Sequence, residues 1–314
     1  MRVVVIGAGA SLEESLRLGS PANLRPPLIR NFAKILWSDT NLALPQSLYD
    51  YMQRYLVSLG HMPSSNPLET FIALEELGTD VHIERFFEYA WMHRHSLYDG
   101  AWGDLMYGAV VNTLICLFPQ NGFHENGKGW KPFTAYQALA NKLSAGDLVV
   151  NLNYEPLFEM GAIQAGRQIT YIPNNQKNDS ILVAKPHGSI NLIVESKKFW
   201  FSEPDIIGSI MSQGEDMTEF RGIIAPRYNK SYQQHPIAAK IFDAIRDTSP
   251  DSVTFWGVGF TNSDADLNEL YLGWCGKASR ISIIHPCPET EILDAEKLLH
   301  TKVEHYKSPE EWNI

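Results

Sequence analysis

Small residues that leave the backbone open to a ligand form a run near the start of the chain: Gly7, Ala8, Gly9, Ala10 and Ser11. The run follows an apolar β-branched segment, residues 3–6, and precedes a segment compatible with a helix. A strand, a tight turn and a helix N-terminus form an anion site, because backbone N–H groups point at the anion and no side chain blocks its approach. The pattern therefore predicts a phosphate-binding turn and favours a nucleotide as ligand.

The common phosphate-binding fingerprints fit this turn only in part. The dinucleotide pattern G-x-G-x-x-G needs a third glycine, and Leu12 stands at that position. The residues around Gly7 do not match the phosphate-loop pattern G-x-x-x-x-G-K-[ST] either. A plain strand-to-helix turn in another kind of α/β protein is therefore the alternative interpretation.

A second polar segment, Asn151 to Glu155, follows the apolar residues 148–150, which predict a strand. Asparagine continues a strand poorly, because its side chain competes for backbone hydrogen bonds. These asparagines could form an Asx turn or cap a helix that begins near Pro156. Asn153 could equally present a fixed amide at the carboxyl end of the strand, able to hold a ribose hydroxyl or a water. The sequence leaves both interpretations open.

A third segment, residues 185–191, contains a histidine that follows the predicted strand 181–183. Pro186 stiffens the backbone before His187, and Gly188 opens space beside it. The unperturbed pKa of histidine is close to neutral, which suits a general base. A single histidine can also be a structural residue, and this segment alone does not decide between the two roles.

A fourth segment joins the predicted strand 253–256 to a predicted helix at 264–274. It contains a G-x-G turn at Gly257 and Gly259, followed by Ser263 and Asp264, which suit the N-cap of the helix. Such a loop could face a nucleotide. It could also be an ordinary connection between a strand and a helix.

In their order along the chain, the four segments together resemble the motifs of sirtuins and sirtuin-like NAD-consuming enzymes. Asn153 matches the asparagine of the family motif T-x-N-x-D, and His187 matches the histidine of K-x-H-G-S. The resemblance implies that His187 is the catalytic base and that Asn153 positions water and ribose. It also implies a set of NAD-binding residues: Gly7, Ala8, Gly9, Ala10 and Ser11 at the pyrophosphate, Gly257, Gly259, Ser263 and Asp264 on the adenosine side, and Glu155.

The sequence departs from the protein deacylases of this family. Asn151 and Glu155 replace the family's Thr and Asp, and Cys116, Cys275 and Cys287 are too few and too scattered for a four-cysteine zinc ribbon. The resemblance is therefore to the sirtuin-like NAD hydrolases of bacterial antiphage defence, in which a helical insertion replaces the zinc module. It implies cleavage of the nicotinamide–ribose bond of NAD to nicotinamide and ADP-ribose, with NAD as substrate, no cofactor and no metal.

An alternative function is a non-catalytic module that senses NAD or ADP-ribose and acts through a partner protein. The glycine turns would serve it equally well, but it gives His187 and Asn153 no task. A lysine deacylase is a third hypothesis, which the missing zinc ligands disfavour. For either NAD-binding function, we expect a bulky residue at Gly9 to abolish binding and to leave the fold largely intact.

Composition and charge exclude several classes of partner. The formal charge of −10 argues against a nucleic-acid surface, which carries a basic excess. The longest apolar stretch, residues 107–118, is too short to span a bilayer, and the N-terminus lacks the pattern of a secretory signal. We therefore expect a cytoplasmic protein without membrane contact. The family resemblance implies a homo-oligomer and a separate defence partner such as an ATPase, an Argonaute or a sensor protein.

Outside the four segments, the sequence pattern predicts an α/β fold. Strand-like apolar runs occur at 2–6, 148–150, 169–172, 181–183, 223–225, 253–256 and 281–284. Several alternate with helical stretches, which implies a Rossmann-like, doubly wound parallel sheet. Residues 26–143 instead show apolar residues at spacings of three and four, typical of helices. We predict a single domain, 1–314, whose sheet part (1–25 and 144–314) is interrupted by a large helical insertion and has no zinc ribbon.

Overall fold

A computed structural model describes most of the predicted sheet and part of the predicted helical insertion. The described residues are 1–22, 25–26, 28, 32–37, 46–93, 124–125, 129–173, 179–195, 198–204, 232, 236–260, 264–287 and 289–313. The predicted strand at 223–225 and the predicted site residue Ser263 lie outside them. No helix within these ranges is long and apolar enough to cross a membrane.

Strands and helices are numbered in chain order. The strands are β1 (Arg2–Ile6), β2 (His124–Glu125), β3 (Gly129–Trp130), β4 (Leu148–Asn151), β5 (Ile169–Tyr171), β6 (Ile181–Ala184), β7 (Leu192–Glu195), β8 (Lys198–Phe201), β9 (Ser252–Trp256), β10 (Arg280–Ile284) and β11 (Glu304–Tyr306). The helices are α1 (Ala8–Arg17), α2 (Phe32–Trp37), α3 (Gln46–Ser58), α4 (Pro67–Glu76), α5 (Ile83–His93), α6 (Thr134–Lys142), α7 (Leu157–Gln164), α8 (Pro236–Arg246), α9 (Ala265–Cys275) and α10 (Glu289–Leu299).

Seven strands form one parallel sheet in the order β11-β10-β9-β1-β4-β6-β5. β1 lies at its centre, between β4 and β9. After β1, the chain first forms the strands on one side of it (β4, β5 and β6) and later the strands on the other side (β9, β10 and β11). The direction in which strands are added to the sheet therefore reverses between β1 and β9. Open α/β sheets bind ligands at the carboxyl ends of the strands beside such a reversal. The predicted Rossmann-like α/β sheet is confirmed.

The sheet strands are buried because helices cover both faces of the sheet. Val3 and Val5 of β1 pack in the core that α8, α9 and α10 cover. Val4 and Ile6 pack in the opposite core, which α1, α6 and α7 cover. All four side chains are fully buried. The carboxyl end of β1, where the small-residue turn begins, is therefore held by packing on both faces.

Helices α2 to α5 form a separate core beside the sheet. Its fully buried members include Tyr51, Phe71 and Phe86. The same core contains Tyr154 and Ile190, which lie in the loops that follow β4 and β6. The helical segment therefore packs against the carboxyl edge of the sheet, where the predicted site residues lie.

The start of α1 and the packing of α6 differ from the sequence prediction. α1 starts at Ala8 and not near Leu12, because Gly7 supplies the extended N-cap residue and the small residues after it continue directly as helix. α6 falls within the range predicted for the helical insertion, yet its Tyr136 and Leu139 pack in the sheet core. This helix therefore belongs to the sheet layer, and it brings Tyr136 to the predicted site.

A buried carboxylate joins three helices of the helical segment. Glu75 of α4 is 3% exposed, and its two oxygens accept hydrogen bonds from Ala33 N (3.0 Å) and Ile83 N (3.2 Å). These amides lie in the first turns of α2 and α5, where N–H groups lack partners inside their own helix. Burial raises the pKa of Glu75 to about 7.

We expect Glu75→Gln to lower the free energy of unfolding by about 1–3 kcal/mol at pH 5, because the new amide has one acceptor oxygen for two buried N–H groups. The loss should shrink as the pH rises to 7. The folded pKa of Glu75 lies above its ordinary value of 4.5, so between these values the folded state binds more protons than the unfolded state. The contribution of Glu75 to the free energy of unfolding of the wild-type protein therefore falls as the pH rises. Glutamine does not titrate, so this contribution to the pH dependence is absent from the variant. Urea unfolding at several pH values measures both effects.

Glu76 provides a matched control for this prediction. It neighbours Glu75 in sequence, but its ion pair with Lys34 lies at the surface, with both side chains about half exposed. Exposed ion pairs contribute little, so Glu76→Gln should change the free energy of unfolding by less than about 1 kcal/mol. Equal losses in the two variants, or a Glu75→Gln loss that grows toward pH 7, would show that Glu75 does not have this role.

Candidate functional site

The two glycine turns that follow β1 and β9 pack directly against each other. A Cβ atom on Gly9 would lie 2.8 Å from the Cα of Gly257, and one on Gly257 would lie 2.1 Å from the N of Ala10. Gly257 also has a φ of 64°, in the left-handed region that favours glycine. The close approach of the two turns therefore requires these glycines. A bulky residue at Gly9 would disturb the fold, contrary to the expectation from sequence.

Several backbone amides of the first turn are engaged within the protein. Gly7 N donates to Trp256 O (2.9 Å), Gly9 N to Gly257 O (2.9 Å) and Ala10 N to Gly7 O (3.0 Å). These three N–H groups do not point at a ligand, which corrects the simple expectation of a turn open along its whole length. The exposed part of this region is Ala8, at the start of α1, where the positive end of the helix dipole lies.

The hydroxyl of Ser11 is buried in a cluster of hydrogen bonds. It donates to Glu155 Oε1, accepts from Asn153 Nδ2 (2.9 Å) and lies 2.8 Å from Tyr136 OH. A hydroxyl has one proton and two lone pairs. Because Glu155 takes the proton, Tyr136 must be the donor in the third contact, and the capacity of Ser11 is filled. The Ser11 hydroxyl therefore acts in the site by holding Asn153, and its bonds leave none for a ligand.

The side-chain amide of Asn153 has a fixed orientation. Its Nδ2 donates to Gly7 O (3.1 Å) and to Ser11 Oγ (2.9 Å), which uses both of its protons. The backbone N of Asn153 donates to Asn151 Oδ1 (3.1 Å), so the predicted Asx turn is also present. The side chain is 7% exposed. The group of Asn153 that can still accept a hydrogen bond from a water or a ribose hydroxyl is its carbonyl oxygen.

A buried ion pair lies next to this cluster. Lys185 Nζ is 3.2 Å from Glu159 Oε1, with both side chains fully buried, and it donates to the backbone O of Glu155 at 3.1 Å. Glu159 Oε2 accepts a hydrogen bond from Asn151 Nδ2 (2.9 Å). These bonds fix the loop after β4 on both sides. Burial raises the pKa of Glu155, whose carboxyl group supports Ser11.

His187 is held at both ring nitrogens. Its Nδ1 lies 2.9 Å from the carbonyl O of Leu152, and its Nε2 lies 2.6 Å from Tyr232 OH. A carbonyl oxygen can only accept, so Nδ1 carries a proton and the lone pair of the neutral ring is on Nε2. Leu152 directly precedes Asn153, so one loop fixes both residues that the sequence predicts for chemistry. The His187 side chain is 12% exposed.

Asp264 lies beside His187. Tyr232 OH lies 2.8 Å from Asp264 Oδ2, within reach to donate to it, and the same carboxylate oxygen is 3.5 Å from His187 Nε2. The other carboxylate oxygen accepts from Leu267 N at 3.2 Å and so caps α9, as the sequence predicts. The described contacts of Asp264 are therefore with the predicted base as well as with its own helix.

The site contains two tyrosines that no sequence motif indicates. Tyr136 reaches Ser11 from α6, and Tyr232 reaches His187 from a part of the chain outside every motif that the sequence analysis used. Burial raises the pKa of both phenols well above the usual range, so both remain protonated at any physiological pH. Only a search for tyrosines able to donate to the two predicted residues could have suggested them, and the sequence contains thirteen tyrosines.

Metal-binding side chains are not clustered in the described part of the chain. No group of three or more His, Cys, Asp or Glu residues there could hold a metal ion. Cys275 is buried, and burial raises the pKa of its thiol to about 12, whereas Cys287 is exposed. Cys116 lies outside the described residues.

No protein-family model matches this sequence, and no curated protein matches it. A functional proposal therefore depends on the resemblance of the motifs and on the contacts described above. Those contacts connect residues 7–11, 151–155 and 187 at the carboxyl edge of the sheet.

Proposed function

We propose that this chain cleaves the nicotinamide–ribose bond of NAD and releases nicotinamide and ADP-ribose. One observation carries the proposal: the asparagine and the histidine of the sirtuin-like motifs are fixed at the same edge of the sheet, beside the first glycine turn. Asn153 Nδ2 donates to Gly7 O at 3.1 Å, and His187 Nδ1 donates to Leu152 O at 2.9 Å. This edge adjoins the reversal of winding at which open α/β sheets bind ligands.

The reaction needs few groups from the protein. When the bond between ribose C1′ and the pyridinium nitrogen breaks, its electron pair neutralises the leaving group, so no acid is required. The ribose passes through an oxocarbenium-like state with positive charge. Water forms the new bond to C1′ and loses a proton, which His187 Nε2 receives once the Tyr232 hydroxyl has turned its own proton to Asp264. The carbonyl oxygen of Asn153 accepts a hydrogen bond from that water or from a ribose hydroxyl, and its partial negative charge favours the cationic ribose.

The wider role that we propose depends on the motif resemblance alone. It is that of a regulated, NAD-depleting effector of bacterial antiphage defence in the cytoplasm. In this role the chain forms a homo-oligomer that cleaves NAD at a basal rate, and a partner such as an ATPase, an Argonaute or a sensor protein raises that rate. NAD is its substrate, and the reaction described above assigns no step to a metal.

Gly259 offers a cleaner test of where NAD binds than Gly9 does. It is exposed in the turn after β9, and a Cβ atom there would meet nothing within 4 Å. The fold therefore tolerates a side chain at this position. If the pyrophosphate lies over the two turns, Gly259→Val should weaken NAD binding by about tenfold or more, equivalent to at least ~1.4 kcal/mol. Isothermal titration calorimetry with NAD measures the change.

Gly273 provides the matched control for this substitution. It lies on the exposed side of α9, far along the helix from its N-terminus, and a Cβ atom there would also meet nothing within 4 Å. Gly273→Val should leave the affinity for NAD unchanged. Wild-type affinity for NAD in a folded Gly259→Val protein would show that the pyrophosphate does not lie over this turn.

A specific contact pattern favours a second candidate function, the non-catalytic sensor of NAD or ADP-ribose. Both ring nitrogens of His187 bond within the protein, and the side chain is largely buried, as in a structural histidine. A sensor would bind the nucleotide at the same edge of the sheet and would leave its glycosidic bond intact. The two functions thus share a site and differ in the fate of the ligand.

A combined binding and cleavage assay distinguishes the two functions. Purified protein is titrated with NAD by calorimetry, and the same mixture is then analysed for nicotinamide by chromatography. Nicotinamide that accumulates with time supports the hydrolase. NAD that binds and is recovered intact supports the sensor, and the absence of both binding and cleavage contradicts both functions.

A further inference from the structure

Tyr232 lies between the predicted base and a carboxylate. Its hydroxyl oxygen is 2.6 Å from His187 Nε2 and 2.8 Å from Asp264 Oδ2. The phenol ring is fully buried, and it is nearly parallel to the imidazole ring, with an interplanar angle of 4°. The backbone N of Tyr232 donates to Asp266 Oδ2 at 3.0 Å, and its ring stacks on Phe242. The hydroxyl is therefore fixed between base and acid.

The phenol has one proton and two neighbours that can accept it. Burial and the nearby Asp264 raise the pKa of Tyr232 well above its usual range, so the phenol keeps a proton throughout. When that proton points at Nε2, His187 is neutral. When the phenol proton turns to Asp264, the lone pair of His187 Nε2 becomes free to take a proton. The new Nε2–H then donates to the phenol oxygen. Neither arrangement requires a heavy atom to move far.

We propose that Tyr232 and Asp264 are positioning residues for His187, which orient its basic nitrogen and stabilise its protonated ring. The proposal rests on the proposed function, in which His187 receives the proton of the attacking water. In the part of the chain that the structure describes, the ionisable groups next to the imidazole include Tyr232, Asp264 and Tyr154, whose ring centroid is 6.3 Å away. The carboxylate at 3.5 Å from Nε2 favours the imidazolium form.

Asp264→Asn tests the charge in this arrangement. Asparagine caps helices about as well as aspartate, so α9 keeps its N-cap while the charge is lost. We expect the pKa of His187 to fall by about one unit or more. Two-bond ¹H–¹⁵N correlation spectra of the imidazole rings measure it, with the His187 signals assigned by their loss in His187→Ala.

Tyr232→Phe tests the hydroxyl, because the aromatic ring stays in the core and only the oxygen is removed. We expect the Nε2 resonance of His187 to shift, since it loses its hydrogen-bond partner. For NAD cleavage, kcat should fall about tenfold or more, as when a catalytic histidine loses the group that orients it. KM should stay nearly unchanged, because Tyr232 is not placed at the turns proposed to hold NAD.

Tyr271→Phe is the matched control. Tyr271 is also buried and close enough to Asp264 to be affected by its charge, and its hydroxyl has no hydrogen-bond partner among the described residues. This variant should keep the wild-type His187 pKa and kcat. An unchanged His187 pKa in Asp264→Asn overturns the proposal even if Tyr232→Phe fails to fold, and so does an unchanged kcat in a folded Tyr232→Phe protein. If the wild-type protein releases no nicotinamide, the proposed function fails, and the spectra still decide the positioning role.

Discussion

His187→Ala should reduce the rate of NAD cleavage at least ~100-fold, the lower end expected for loss of a general base. Its affinity for NAD should change little, because the His187 ring bonds to Leu152 and Tyr232 and does not hold the glycine turns. The loss should therefore appear in kcat. Chromatographic assay of nicotinamide gives the rate, calorimetry gives the affinity, and circular dichroism shows whether the variant is folded.

His61→Ala is a suitable control for this experiment. His61 is half-buried in the loop after α3, near the exposed Asp80, and it belongs to none of the four predicted segments. Its replacement should keep the wild-type rate of cleavage. A folded His187→Ala protein that cleaves NAD as fast as wild type contradicts the mechanism. Loss of binding together with cleavage and thermal stability would instead identify His187 as a structural residue.

Asn153→Ala should also reduce NAD cleavage by about 100-fold or more, the size of effect seen when a fixed polar group of an active site is removed. It should also destabilise the fold measurably. Gly7 O and Ser11 Oγ each lose a buried hydrogen bond, at a cost of about 1–3 kcal/mol in the free energy of unfolding. Activity must therefore be measured well below the midpoint of thermal unfolding, which we expect to fall.

Ser11→Ala separates the two effects of that substitution. It removes one anchor of the Asn153 side chain but leaves its carbonyl oxygen and its bond to Gly7 O. Cleavage should fall less than in Asn153→Ala, although Ser11→Ala removes three buried hydrogen bonds, to Asn153, Glu155 and Tyr136. A rate lower than that of Asn153→Ala would mean that Asn153 is not the group that acts on the substrate.

Most of the sheet could be predicted from the sequence because its strands are buried on both faces. Such strands are continuous apolar runs, as at β1 and β9, and their positions agree with prediction to within a residue or two. β11 was missed because it is a short edge strand, Glu304–Tyr306, with none of its residues fully buried, so it carries no apolar run. The hairpin of β7 and β8 was also missed.

The site was predictable only where a motif specified a side chain. Asn153 and His187 could be selected in this way, and both lie at the carboxyl edge of the sheet. The role of Gly7 and Gly9 could not be predicted correctly. A turn needs small residues when a phosphate approaches its backbone closely, and it needs the same residues when another backbone segment does so. Here the approaching group is the backbone of Gly257. Tyr232 could not be foreseen, since only the folded chain brings it beside His187.

The most direct test of the account is a single-turnover experiment with the protein in excess over NAD. The high protein concentration also favours any homo-oligomer that activity requires. We predict that the wild-type protein converts all of the NAD, with one nicotinamide released for each NAD consumed. His187→Ala under the same conditions should need at least ~100 times as long. NAD recovered intact from the wild-type protein, or nicotinamide released equally fast by His187→Ala, would contradict the account.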